Sequence, residues 1–225
     1  MNQPLAYIHP GAKISKNVVV EPFTTIHNNV VIGDGTWIGS NVTIMEGARI
    51  GKNCNIFPGA VISAPPQDLK YEGEDTTVII GNNTTIRECA TIHKGTSDRM
   101  KTVIGDNVIL AGLVAVHQFV SIGRHAFVTG GSLVRKDVPP FVKAAREPLS
   151  YVGINSVGLR RRNFDSDKIR EIQNIYRILY QKNYNNTQAV QIIEAEMEAT
   201  PERDEILQFI RDSQRGIMKG YFSTN

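Results

Sequence analysis

Aliphatic residues recur at every sixth position through most of the chain. Ile8, Ile14, Val20, Ile26, Ile32, Ile38, Ile44, Ile50, Ile56 and Ile62 form one unbroken series. It resumes at Ile80, Ile86 and Ile92, then at Ile104, Leu110, Val116, Ile122, Val128 and Val134, nineteen repeats in all. Four residues after each anchor comes a small residue, among them Ala12, Thr24, Thr36, Ala48, Cys54, Ala60, Thr84, Ala90, Ala126 and Ser132; only the Ile62 repeat breaks this rule, with Pro66. A period of six suits neither an isolated helix nor an ordinary sheet. It suits a β-solenoid in which each hexad is one short strand and one turn, three hexads to a coil. The residue before the small slot is often Gly or Asn (Gly11, Asn17, Asn29, Gly35, Asn41, Gly47, Asn53, Gly59). These types tolerate a left-handed backbone, so the turns belong there.

The beat predicts a solenoid over residues 1–140, about six coils. With parallel strands ~4.8 Å apart, its prism is about 30 Å tall. Two segments interrupt it: residues 63–78, rich in proline and charge, and residues 97–102; both are expected as extruded loops, where function usually sits. Pro139-Pro140 marks the expected end. Residues 141–163 lead out, and 141–225 as a whole reads as a linker and a helical domain. Amphipathic stretches at 167–183 and 188–199, and a last helix opened by Thr200-Pro201, carry apolar residues at helical spacing. Ser166 and Thr187 are expected as caps for the first two.

Composition changes this picture little. A net charge of +3 is mild, and 41% hydrophobic content is ordinary. No run approaches the ~20 apolar residues of a membrane span. The absence of an apolar leader predicts a cytoplasmic protein. Cys54 and Cys89 both fall within the repeats and read as reduced packing residues. Flat outer faces on such a prism predict a homotrimer with clefts between neighbours.

Candidate chemistry is sparse. His9, His27, His93 and His117 each follow an anchor, so all should point outward. If the second loop leaves without advancing the coil, His117 stacks one coil above His93, about 5 Å away. That spacing makes a functional imidazole pair, whereas His9, His27 and His125 read as solvated. The three arginines Arg160, Arg161 and Arg162 could clamp a phosphate or an acidic surface.

Several strings then carry a resemblance: QDLKY in the first loop, TIRECATIHKGT before the second, AVHQF, DVPPF and GINSVGLRRRNF. Together they resemble the acyl-carrier-protein:UDP-N-acetylglucosamine O-acyltransferases that begin lipid A synthesis. Hexapeptide proteins of this class are left-handed parallel β-helices, so the resemblance supplies the handedness, against the usual right-handed crossover. It implies that an acyl carrier protein delivers a 3-hydroxyacyl thioester to the 3-hydroxyl of UDP-N-acetylglucosamine, with a histidine as general base. No metal, cofactor or nucleic acid is implied. By position, Asp68 and Lys70 match contacts to the nucleotide sugar, and His93, His117 and Gln118 line the cleft. Asn155, Arg161 and Arg162 match contacts to donor, nucleotide or carrier.

The sequence departs from that pattern twice. Val157 stands where the family has a glutamate. More importantly, Val103-Ile104-Gly105-Asp106-Asn107 runs almost directly into Ala115-Val116-His117-Gln118. About two coils (roughly 36 residues) that carry the family's general base are absent, without loss of register. Gln118 takes the base's slot, and an amide is no general base near neutral pH. Two readings stay open: His93 and His117 substitute for the base, or the chain is a non-catalytic shortened solenoid that keeps the trimer and ligand binding.

Overall fold

A computed structural model describes residues 4–181 and 184–220; positions 182 and 183 of the first helical stretch lie outside the described residues. Residues up to 145 wind as a left-handed parallel β-helix. Each hexad yields a strand of mostly two residues, such as Thr25–Ile26, Val31–Ile32 and Trp37–Ile38, with the second residue inward and fully or almost fully buried. Successive strands belong to three different sheets, called here first, second and third. Thr25 pairs with Thr43 and Ile26 with Ile44, so each anchor rests on the anchor one coil below. Burial of this aliphatic column is what the six-residue beat encodes.

The corners need a left-handed residue. Asn29, Gly35, Asn41, Gly47, Asn53 and Gly59 supply it, as expected, whereas Gly11 and Asn17 do not adopt positive φ. A Cβ on Gly47 would lie 2.2 Å from the Thr76 carbonyl oxygen, so that position is closed to other residues on two counts. Phe23, Leu113, Phe119, His125 and Phe141 also take positive φ at this corner, at a cost of about 1 kcal/mol each.

Both interruptions are shorter than the sequence suggested. The strands Val61–Ala64 and Thr77–Ile80 reach into the first, leaving residues 65–76 as its loop. The strand Lys101–Ile104 absorbs the end of the second, because Lys101 and Thr102 find free backbone partners in Thr77 and Val78. Thr76 Oγ1 donates to Gly95 O (2.8 Å) and Ser97 N to Glu74 Oε1 (3.1 Å), which ties the two loops together. Neither loop advances the coil: Ile62 pairs with Ile92, and Ile92 with Val116. Residues 104–116 cross the shortened region in register, with Ile109 between Thr85 and Phe127.

Pairing does not stop at Pro139-Pro140. Val142–Ala145 joins the third sheet parallel to Phe127–Val128, then turns into an antiparallel hairpin with Ser150–Ile154. Pro140 sits at a corner, where its missing N–H breaks no ladder bond. The segment expected to lead out is therefore this hairpin plus the helix α1 (Ser156–Arg160). Helices α2 (Ser166–Gln181), α3 (Asn186–Glu196) and α4 (Pro201–Asp212) follow. Thr200 caps α4 as predicted, but the other two caps are Asp165, which accepts from Lys168 N at 2.7 Å, and Asn185 in a capping box with Gln188. Ser166 and Thr187 lie inside their helices, because an Asx side chain just upstream already offers the acceptor. The apolar stripes pack as core: Ile172, Ile175 and Tyr176 are fully buried, and Tyr151 stacks on Tyr180 at 4.6 Å. Among the described residues no helix is long and apolar enough to cross a membrane.

Candidate active site

One edge of the prism, where the first sheet turns into the second, gathers most of the candidate chemistry. Both loops leave from it, between Val61–Ala64 and Thr77–Ile80 and between Thr91–His93 and Lys101–Ile104. The pairing of Ile92 with Val116 puts His117 directly above His93, as the spacing predicted. His93 Nδ1 lies 2.8 Å from Pro65 O in the first loop. A carbonyl only accepts, so Nδ1 carries the proton and Nε2 keeps its lone pair, ready to take a proton. His117 is half-buried, and Nδ1 sits 3.3 Å from Gln118 O. Burial above all pushes the His117 imidazole below the usual histidine range; the Gln118 carbonyl works against that, and the charges of Arg215, His93 and Arg135 reinforce it.

The first loop presents Asp68 and Lys70 on this edge. Asp68 Oδ1 accepts from Lys70 N at 3.1 Å, which turns the exposed Leu69 outward. Tyr71 folds back so that Lys94 Nζ lies 5.5 Å from its ring centre. Gln118 does not line an open surface of the chain. Only 4% of it is exposed, and by register it lies above the buried Lys94.

The other candidates occupy a different edge, where the second sheet turns into the third. Asn155 caps α1: its Oδ1 accepts from Gly158 N at 3.2 Å and its Nδ2 donates to His125 O at 2.9 Å. Its side chain thus has a structural task. Arg161 is exposed, while Arg162 is half-buried and donates to Gly158 O at 3.2 Å. Val157 is exposed beside them. A single chain therefore brings His93, His117, Gln118, Asp68 and Lys70 together and leaves Asn155, Arg161 and Arg162 on another edge.

Two residues near these edges escaped the sequence reading. His125 is not solvated: 5% exposed, it stacks on Phe141 (5.7 Å) and meets Phe164 edge-on (5.2 Å), with Nδ1 lacking a partner. Burial, with Arg124 and Arg162 nearby, lowers its pKa to about 4. Arg215, from the segment after α4, returns to the His117 edge, a placement that no local pattern announces.

Known proteins share this architecture. Residues 29–64 match the bacterial transferase hexapeptide (six repeats) family, and residues 137–218 match UDP N-acetylglucosamine O-acyltransferase, domain 2. An acyl-[acyl-carrier-protein]–UDP-N-acetylglucosamine O-acyltransferase of Aliivibrio fischeri is 46% identical, covering 95% of this chain and 98% of that protein. Its counterpart in Myxococcus xanthus is 34% identical over 70% of this chain and 76% of its own length. Among solved structures, the UDP-N-acetylglucosamine acyltransferase of Bacteroides fragilis is 42% identical with a TM-score of 0.65, covering 97% of this chain and 100% of its own. That of Francisella novicida is 35% identical with a TM-score of 0.66, covering 97% and 94%. The Aliivibrio alignment runs over 257 positions, more than the 225 residues present here, so that relative has residues with no counterpart in this chain. By descent, the chain belongs to the acyl-[acyl-carrier-protein]–UDP-N-acetylglucosamine O-acyltransferase family.

Proposed function

We propose that this protein transfers a 3-hydroxyacyl chain from acyl carrier protein to the 3-hydroxyl of UDP-N-acetylglucosamine in lipid A biosynthesis, as a cytoplasmic homotrimer, with His93 as general base. The observation that carries this reading is the His93–Pro65 hydrogen bond, which places the ring proton on Nδ1 and leaves the lone pair on Nε2, beside the first loop. Nε2 takes the proton of the sugar hydroxyl as its oxygen attacks the thioester carbonyl; the C–S bond then breaks, and the thiol of the carrier's prosthetic arm leaves with that proton. His117, held neutral by its surroundings, adds no second charge when His93 becomes imidazolium. Asp68 and Lys70 hold the nucleotide sugar. Asn155, Arg161 and Arg162 come from the neighbouring copy, because within one chain they lie on a different edge, and the two arginines meet the anionic donor or nucleotide. The split separates the β-helix, which bears His93 and His117, from the segment that follows it, which bears Asn155, Arg161 and Arg162.

A second reading, a shortened scaffold that binds without turnover, draws on the burial of Gln118 in the slot of the usual base. An acyl-transfer assay with the parent, His93→Ala and His117→Ala, run beside a binding measurement for UDP-N-acetylglucosamine, separates the two. Product formation lost in His93→Ala supports the enzyme. Binding without product in the parent supports the scaffold.

A further inference from the structure

We propose that Arg215 is a positioning residue for the histidine edge, a clamp from the C-terminal segment that fixes the turn carrying His117. This rests on the reading of His93 as the base with a neutral His117 beside it. The segment after α4 is fastened to the last coil by a dense set of bonds. Asp137 is 2% exposed; its Oδ1 accepts from Ser121 N (2.8 Å) and its Oδ2 from Ser213 Oγ (2.6 Å). Its backbone N–H donates to Gly216 O (3.2 Å), and its carbonyl accepts from Met218 N (2.9 Å). Lys136 Nζ donates to Arg215 O. So anchored, the Arg215 guanidinium donates Nη1–H to Gln118 O and Nε–H to Arg135 O, both at 3.2 Å, and lies 5.9 Å from the Phe119 ring centre.

The turn it grips is one that needs holding. Phe119 has φ of 70°, where a bulky side chain is disfavoured, and its amide is tied to Thr102 Oγ1 at 2.9 Å. Gln118 O, which Arg215 engages, also faces His117 Nδ1. One guanidinium thus bridges the coil bearing His117 and the coil above it, through two main-chain acceptors in the forked geometry that a lysine cannot copy. The charged and titratable groups around His117 are His93 and Lys94 from the coil below, Arg135 and Asp137 from the coil above, Arg215 from the C-terminal segment, and Arg99, whose charge acts on Arg215. With cations in the majority, an imidazolium at His117 is disfavoured.

Arg215→Gln and Arg215→Lys in the full chain test this. Histidine NMR titration reads His117, its resonance assigned by its loss in His117→Asn, and amide hydrogen exchange reads residues 118–119. In Arg215→Gln the His117 midpoint rises and exchange at Phe119 quickens, on the order of tenfold for one lost charged hydrogen bond. In Arg215→Lys the charge remains, so the His117 midpoint stays low while exchange still quickens. The kcat of both variants falls more than KM rises. If Arg215→Gln leaves either the His117 midpoint or the Phe119 exchange at the parent's value, the proposal is overturned. Both readouts are made without substrate, so a parent lacking turnover would refute the function and leave this clamp standing or falling on its own.

Discussion

Acid should loosen the arginine-bearing edge through His125. The ring lies between Phe141 and Phe164, its carbonyl holds Asn155, and Asn155 caps the helix that precedes Arg161 and Arg162. Its pKa of about 4 in the folded chain compares with 6.5 for a free histidine. Because the folded value is the lower one, the unfolded chain binds the proton first. The stability contributed by the neutral ring is complete above pH 6.5 and is lost as pH falls from there toward 4. Linkage between those two values puts the loss at about 2.5 kcal/mol per chain between pH 7 and pH 4.5. Burial sets this sign first, because the charged ring loses its hydration; Arg124 and Arg162 reinforce it, and Asp106 works against it. The comparison is with His125→Asn, since Asn tolerates the positive φ of 58° and cannot titrate. Urea unfolding of both proteins at pH 7 and pH 4.5 gives the difference. The parent should lose about 2.5 kcal/mol more than the variant over that interval. Equal losses would refute the assignment of acid sensitivity to this ring.

Other outcomes follow from the same geometry. His93→Ala should lower kcat by about 10²–10⁴-fold with a small change in KM, measured by acyl transfer at saturating sugar. Gln118→His should leave the rate where it was, because that side chain is buried over Lys94; a gain above the parent would show that the slot is open. Ile92→Ala should cost about 2–5 kcal/mol in urea unfolding, since Ile92 is fully buried between Ile62 and Val116 in a column that cannot easily collapse.

The β-helix was legible because its period assigns one aliphatic residue to each strand and lets no other fold bury them all. The His93–His117 stack followed from the same arithmetic once the loop between them was left out of the coil. Ends of elements were harder. Lys101 and Thr102 read as loop because their partners, Thr77 and Val78, are strand only by virtue of the preceding excursion. The hairpin after Pro140 has no repeat to announce it, and its pairing with Lys219 comes from the far end of the chain. His125 occupies the same turn slot as Asn107, and what buries it is Phe141, just past the repeats, together with Phe164, which follows α1. Arg215 is invisible for the same reason: its value lies in where a distant segment docks.

The claim that the site is shared between copies is tested most directly by mixing two inactive chains. His93→Ala removes the base from one edge, and Arg161→Ala combined with Arg162→Ala removes the cations from the other. Co-folded in equal amounts, they form trimers in which about a quarter of the clefts join an intact histidine edge to an intact arginine edge. Acyl transfer by the mixture should therefore recover to about a quarter of the parent's rate. A mixture no more active than either variant alone would contradict the account.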